Sequence, residues 1–272
     1  MTSQAPRYAQ PQSQDPYWLN IKELPYFRAL LRAVEAREYQ DIPLEQPVLD
    51  LGCGDGHFVT TAFETQIDTG LDPWTGPLRQ AARRKSYCVA VHGQGAQLPF
   101  PDGYFASAMS NSVLEHIENL DPVLEEVVRV LKPGAKFVFC VPNHRFLANL
   151  SVSSFLDRIG LKRLAEIYRR FFNRISRHHH CDDLKTWQER LSKAGLTIEE
   201  QWDYFSPAAT HVLEWGHYFG LPSLVMHFLF RRWIVVPAKW NLSLPRLITK
   251  KYFDEARRQP QGSYSFYITR KV

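Results

Sequence analysis

Cysteine is sparse in this chain, and its placement excludes several kinds of protein. The four residues, Cys53, Cys88, Cys140 and Cys181, are widely separated. They form no C-x-x-C pair for redox or zinc chemistry and no framework for a disulfide-held secreted scaffold. Three lie in or beside apolar runs, where cysteine acts as a small apolar side chain, so a reduced, cytoplasmic setting is expected. A membrane-spanning run is missing too. Trp215 to Phe230 holds no Asp, Glu, Lys or Arg, but it is 16 residues long, and a bilayer crossing takes about 20. No internal repeat is present. Residues 1–16 are rich in Gln, Pro and Ser and show no basic-then-apolar leader; they read as a disordered tail. Acidic residues are the minority, 28 against 33 basic, for a net charge of +5. The imbalance is local. Residues 1–150 hold 13 Lys and Arg against 17 Asp and Glu, a balance of −4, whereas residues 151–272 hold 20 against 11, a balance of +9. A basic half suits an anionic partner such as a lipid head group, a phosphorylated substrate or RNA; a solvated helix surface would give the same count.

The most informative run is Val48-Leu49-Asp50-Leu51-Gly52-Cys53-Gly54-Asp55-Gly56. Apolar residues lead into a turn with glycine at every second position, which predicts a buried strand, a tight loop and a following helix. Such a loop lets a ligand approach main-chain N–H groups without a Cβ in the way. The dinucleotide fingerprint G-x-G-x-x-G needs a glycine at position 57, where this chain has His57. Asp50 and Asp55 flank the loop, and carboxylates there repel a pyrophosphate. They suit a ligand with positive charge and no phosphate. S-adenosylmethionine, with an ammonium, a sulfonium and one ribose, meets that description. Asp72 follows Gly52 by 20 residues at the tip of the next strand, where a carboxylate accepts both ribose hydroxyls.

The order of elements predicts an α/β fold. Strands are expected near 47–51, 67–71, 87–91, 104–110 and 135–141, separated by helices, then at 196–202 and 263–270. This is a Rossmann-like, doubly wound, seven-stranded sheet, mostly parallel with an antiparallel last strand, plus helical inserts. Pro16 to Gln40 reads as one or two helices forming a cap. The organisation is a tail at 1–16, a cofactor-binding core with that cap at 17–143, a basic helical insert at 144–181, and a continuation of the core at 182–202. An aromatic lid or membrane-interface insert at 203–262 and the last core strand at 263–272 complete it. Four of the seven tryptophans fall from Trp202, at the edge of the aromatic insert, to Trp240.

The blocks VLDLGCGDG, GLDPW, LPFPDGYF, SNSVLEHI and RVLKPGAKFVF, in this order over residues 45 to 142, resemble the class I S-adenosylmethionine-dependent methyltransferases of the small-molecule type. The resemblance implies that Asp50, Gly52, Cys53 and Gly54 hold the methionine end of S-adenosylmethionine and that Asp72 takes the ribose. It implies that Trp74 covers the adenine and that Gln94 and Gly95 sit at its edge, with Gln94 in place of the family's usual acid. Asn111 and Ser112, after the fourth strand, would lie beside the reactive methyl. Ala106 and Ala135 also depart from the family pattern, away from the cofactor.

Methyl transfer from a sulfonium needs in-line alignment and exclusion of water, and a hydroxyl or carbon nucleophile also needs a proton removed. His116, one turn beyond the fourth strand, and His144, just past the fifth, are the candidate bases; Asn111 is the third catalytic candidate. The run His178-His179-His180-Cys181-Asp182 suggests a metal, but adjacent histidines point in different directions and no second cluster supplies ligands. No metal site is expected; the run reads as a polar loop in which Asp182 or Asp183 caps a helix and His180 reaches toward the substrate. The expected acceptor is a small, amphipathic or lipid-like molecule chosen by the two inserts. Peripheral membrane contact through 203–240 is the companion expectation. A nucleic-acid methyltransferase would use the basic half, but Ser110-Asn111-Ser112-Val113 is not the motif used on exocyclic base amines, and no RNA-binding module is evident. A non-catalytic S-adenosylmethionine-binding protein would keep the same loop.

Overall fold

The structure, a computed structural model, describes residues 7–230 and 232–272. Helices α1 (Pro16–Ile21) and α2 (Tyr26–Glu38) precede the first strand. The core then alternates β1 (Val48–Leu51), α3 (His57–Ala62), β2 (Ile67–Asp72), α4 (Thr75–Arg84), β3 (Tyr87–His92), β4 (Phe105–Asn111), α5 (Asp121–Val130) and β5 (Leu131–Pro142). Helices α6 (Ser151–Arg158) and α7 (Lys162–Ser176) form the first insert. They are followed by α8 (Leu184–Ala194) and β6 (Leu196–Tyr204). Helices α9 (Pro207–Phe219), α10 (Leu221–Phe230) and α11 (Ser243–Phe253) form the second insert, and β7 (Tyr264–Lys271) ends the sheet.

The seven strands lie in the order β3-β2-β1-β4-β5-β7-β6. Strands β1 to β5 pair in parallel, and β7 runs antiparallel to both β5 and β6. The last strand is therefore antiparallel as expected, but it is interior: β6 takes the sheet edge. Every residue of β1 and β4 is buried, because helices cover both faces of the sheet centre. On one face Phe139 stacks on Tyr267 with ring centroids 4.8 Å apart and packs on Trp187 of α8 at 5.0 Å. Such pairs add about 0.5–1.5 kcal/mol beyond the area they bury. The cap helix α2 buries Leu30, Ala33 and Val34 on the other face.

Residues 1–6 of the expected tail lie outside the described residues. Residues 7–15 are not a free tail. Ala9 N–H donates to Leu44 O at 2.9 Å, Gln12 N–H donates to Ala62 O at 2.9 Å, and isolated bridges join Tyr8 to Glu45 and Pro11 to Phe63. Polar composition misled because backbone groups, not side chains, make this attachment. Asp183 caps α8, its carboxylate accepting from Thr186 N–H at 2.9 Å, and α8 stops at Gly195 with φ of 90°.

Candidate active site

The carboxyl ends of β3, β2, β1 and β4 stand side by side, and the loops leaving them form one crevice, the usual ligand position in an open α/β sheet. The loop after β1 turns back because Gly52 and Gly54 adopt φ of +78° and +54°, a region costly to residues with a Cβ. Gly52 packs closely: a Cβ there would lie 2.4 Å from Val113 Cγ1. Gly54 faces open space, with nothing within 4 Å of where its Cβ would stand. Gly52 and Cys53 N–H groups both donate to Leu71 O, at 2.8 and 3.0 Å, which stitches the loop to the end of β2. Asp72 fixes the same corner. Its Oδ2 accepts from Gly54 N–H and its Oδ1 from Trp74 N–H, each at 2.8 Å. Each oxygen retains a lone pair for a hydroxyl.

Asp50 is buried in β1 and accepts the Tyr87 hydroxyl at 2.5 Å. Burial pushes its carboxyl up to about 7; the Tyr87 hydrogen bond opposes the shift and the charge of Asp72 adds to it. Its role on this geometry is to hold the loop from beneath through Tyr87. Cys53 is buried, and its thiol is raised by burial. Asp55 caps the start of α3, accepting from His57 N–H at 3.1 Å. Trp74 is 71% exposed, free to lie over a ligand. Gln94 is exposed and Gly95 half-buried after β3; Val123 lies 3.1 Å from where a Cβ of Gly95 would be. The crevice thus offers an open cradle at Gly54, a carboxylate at the tip of β2 and an exposed indole beyond it. These groups fit a nucleoside joined to an amino acid through a sulfonium, as in S-adenosylmethionine.

At the end of β4 the cap helix contributes a residue that sequence reasoning missed. Glu35 is fully buried and accepts from Asn111 Nδ2 at 2.8 Å, from the Ser112 hydroxyl at 2.6 Å and from Arg32 at 2.6 Å. Burial alone would lower the Arg32 guanidinium, and the Glu35 carboxylate more than offsets this, holding it above its usual value. Asn111 Oδ1 takes the Cys140 thiol at 3.0 Å. Asn111 is therefore committed to a buried network and positions the strand end rather than facing a reactant.

Beyond Ser112 lies a cavity of about 530 Å³. Its lining includes the polar groups of Arg28, Arg32, Ser112, Glu115, His116, Arg177 and His178 and the apolar side chains of Phe27, Leu31, Phe146, Leu213, Leu224 and Trp233, with the Arg28 guanidinium 5.7 Å over the Trp233 ring. Both inserts reach it, the first through Ile175 to His178 and the second through Leu213 to Trp233. Glu115 is 2% exposed, its Oε2 has no hydrogen-bond partner, and burial pushes its carboxyl up to about 8. His116 Nδ1–H donates to Arg177 O at 2.9 Å, which leaves Nε2 free, 3.8 Å from Glu115 Oε1. Burial lowers the His116 imidazole and, with the charges of His116 and His217, takes His178 down to about 3. Both rings are neutral at pH 7.

His116 thus lies where expected. His144 does not: it is exposed and lies outside the cavity, because the chain turns outward after Asn143. Of the histidine run it is His178 that lines the cavity. His180 Nε2 is engaged with Ile117 O at 2.9 Å. Glu115, His116 and His178 bring ligand atoms within 4.8 Å of one another, a grouping that sequence distance hid. Arg28, Arg32 and Arg177 line the same cavity, Arg32 paired with Glu35.

Residues 49–139 match the family described as methyltransferase domain. Over 109 residues the chain is 31% identical to the demethylmenaquinone methyltransferase of Paenarthrobacter aurescens, covering 38% of this chain and 42% of that protein. Over 104 residues it is 31% identical to the fatty-acid O-methyltransferase of Mycolicibacterium smegmatis, covering 36% and 38%. The chain spans about half or less of the length of the curated relatives it matches, 35 to 56%. Among solved structures, phosphoethanolamine N-methyltransferase 2 of Haemonchus contortus, in complex with S-adenosyl-L-methionine, superposes with a TM-score of 0.54 at 17% identity, over 90% of this chain and 52% of that one. Residues 49–139 thus match a methyltransferase domain, and the seven-stranded fold that carries them, with its loop of glycines and its carboxylate at the tip of β2, is one that an S-adenosylmethionine-binding methyltransferase shares.

Proposed function

We propose that the protein transfers the methyl group of S-adenosylmethionine to a small amphipathic acceptor bearing an anionic group and an apolar tail. One observation carries this reading. The cavity begins at Ser112, beside the cofactor crevice, and its lining combines three arginines, Arg28, Arg32 and Arg177, with aromatic and aliphatic side chains. A guanidinium pairs with carboxylate or phosphate, and the aromatic and aliphatic side chains bury a hydrocarbon chain. Two of the relatives are named for apolar acceptors, demethylmenaquinone and a fatty acid, which agrees with this combination.

S-adenosylmethionine supplies an activated methyl when bound. The chain's own residues bind it, exclude water and handle the acceptor's proton. Gly52, Cys53 and Gly54 receive its amino-acid end, and Asp72 the ribose. Glu115 lines the cavity, and its carboxylate, with a pKa near 8, takes the proton where the accepting oxygen is a hydroxyl as the new bond to carbon forms; a carboxylate or phosphate oxygen needs no base. His116, held by Arg177 O, supports it from 3.8 Å. The test is transfer of label from methyl-tritiated S-adenosylmethionine to four acceptors: a long-chain fatty acid, a polyprenyl phosphate, an uncharged phenol and RNA. Label in an anionic amphiphile is the expected result. Label in RNA alone, or in none of the four by protein that binds the cofactor, would overturn the reading.

A further inference from the structure

The rim of this cavity continues into two uncovered apolar helix faces. On α7, Leu164, Ile167, Phe171 and Ile175 recur at intervals of 3, 4 and 4 residues and so share one face; all four are exposed, by 49, 55, 49 and 42%. One flank of this stripe, a quarter turn on, buries Ala165 and Phe172. Arg163, Arg170 and Arg174, also exposed, follow the same spacing one residue behind three of the stripe residues and fall on its other flank. Helix α10 repeats the pattern with Leu224, Val225, Phe228 and Leu229, exposed by 51 to 79%. Ile175 and Leu224 line the cavity and belong to these faces, so the two faces meet at its mouth. Among the described residues no helix is long and apolar enough to cross a membrane.

We infer that the protein docks on an anionic lipid surface through the exposed faces of α7 and α10, with the cavity opening into that surface to take its acceptor. Three features select this occupant over a protein partner. The apolar stripe has a row of arginines along its edge, the arrangement of an interfacial helix that sinks its apolar side and holds acidic head groups. Both faces adjoin the entrance of a cavity lined by apolar side chains and arginines. The stripe lies on a helix whose adjoining flank is packed on the core through Ala165 and Phe172, so the face is presented rigidly. The inference deepens the proposed acceptor class and rests on it. It shifts membrane contact from 203–240 alone to a surface shared with the basic insert.

The experiment is co-sedimentation of the full chain with vesicles of phosphatidylcholine alone or with 30% phosphatidylglycerol (about one anionic lipid in three). It is run beside light scattering for oligomeric state and calorimetric titration of S-adenosylmethionine. Wild type should sediment with the anionic vesicles. Ile167→Ser/Phe171→Ser should abolish this. Arg163→Gln/Arg170→Gln should weaken it about 25-fold, since each basic side chain near such a surface contributes roughly a factor of five. Cofactor affinity should be unchanged in both variants, because neither touches the crevice. Wild type that stays in the supernatant overturns the inference. So does sedimentation indifferent to both variants, or a dimer that the serine variant converts to monomer without any lipid binding. Loss of cofactor binding by wild type would instead overturn the methyltransferase reading, whatever the vesicles do.

Discussion

Gly52 and Gly54 sit two residues apart with similar backbone torsions, and alanine should affect them in opposite ways. At Gly54 a Cβ meets nothing within 4 Å, so the cost to the fold is only that of a left-handed torsion, about 1–2 kcal/mol. That corresponds to a fall in Tm of roughly 2–8 °C for a domain of this size. At Gly52 the same torsional cost is joined by overlap with Val113 Cγ1 and Cγ2 at 2.4 and 2.7 Å. Overpacking of this kind adds about 1–3 kcal/mol, for about 2–5 in all. Cofactor affinity should reverse the order of specificity. Gly54→Ala places its methyl in the open cradle and should weaken S-adenosylmethionine binding by roughly 5- to 100-fold while the protein stays folded. Gly52→Ala should act mainly through stability, and Val113→Ala in the same chain should recover the packing part and leave the torsional part. Melting by circular dichroism and calorimetric titration read the two effects separately. Gly54→Ala binding the cofactor as wild type does would refute the assignment of this loop as the cradle. A Gly52→Ala loss unchanged by Val113→Ala would refute the packing argument.

Asp72→Asn keeps the side chain's size, but its amide can accept from only one of the Gly54 and Trp74 N–H groups now bonded at 2.8 Å. Calorimetric titration should show at least tenfold weaker S-adenosylmethionine binding, and urea unfolding a loss of about 1–2 kcal/mol. Glu35→Ala strips the partner from Arg32 and loosens Asn111 and Ser112; chemical denaturation should register a loss of about 3 kcal/mol. Glu115 has a folded pKa raised from 4.5 to about 8, so the folded chain holds a proton that the unfolded chain releases. Its contribution to stability is complete below about pH 4.5 and is lost as pH rises toward 8. Glu115→Gln should flatten that part of the stability profile in urea titrations at pH 5 and 8, and should remove the corresponding limb near pH 8 from the pH–rate profile.

Local sequence determined much of this molecule. The apolar run ending in Gly52 and Gly54, the acid at the tip of β2 and the seven strands were legible because short-range periodicity and turn chemistry encode them directly. His116 was legible by its distance from β4. The tertiary structure decided what depends on elements far apart in the chain. Glu35 reads as one acid of an ordinary amphipathic helix until α2 packs against the end of β4, 76 residues later, and places it on Asn111. Glu115 lies in a motif that could be quoted from the sequence, but its raised pKa comes from burial by groups brought from elsewhere. His178, 62 residues after His116, faces it with ring centroids 5.4 Å apart because the first insert folds back over the crevice, and the same turn of chain carries His144 away. Residues 7–15 pair by backbone, which composition does not record. Sequence writes the periodic elements and the cofactor loop because these depend on neighbours. The cavity beside Ser112, with its mixed lining of arginines and apolar side chains, exists only where the two inserts meet α2.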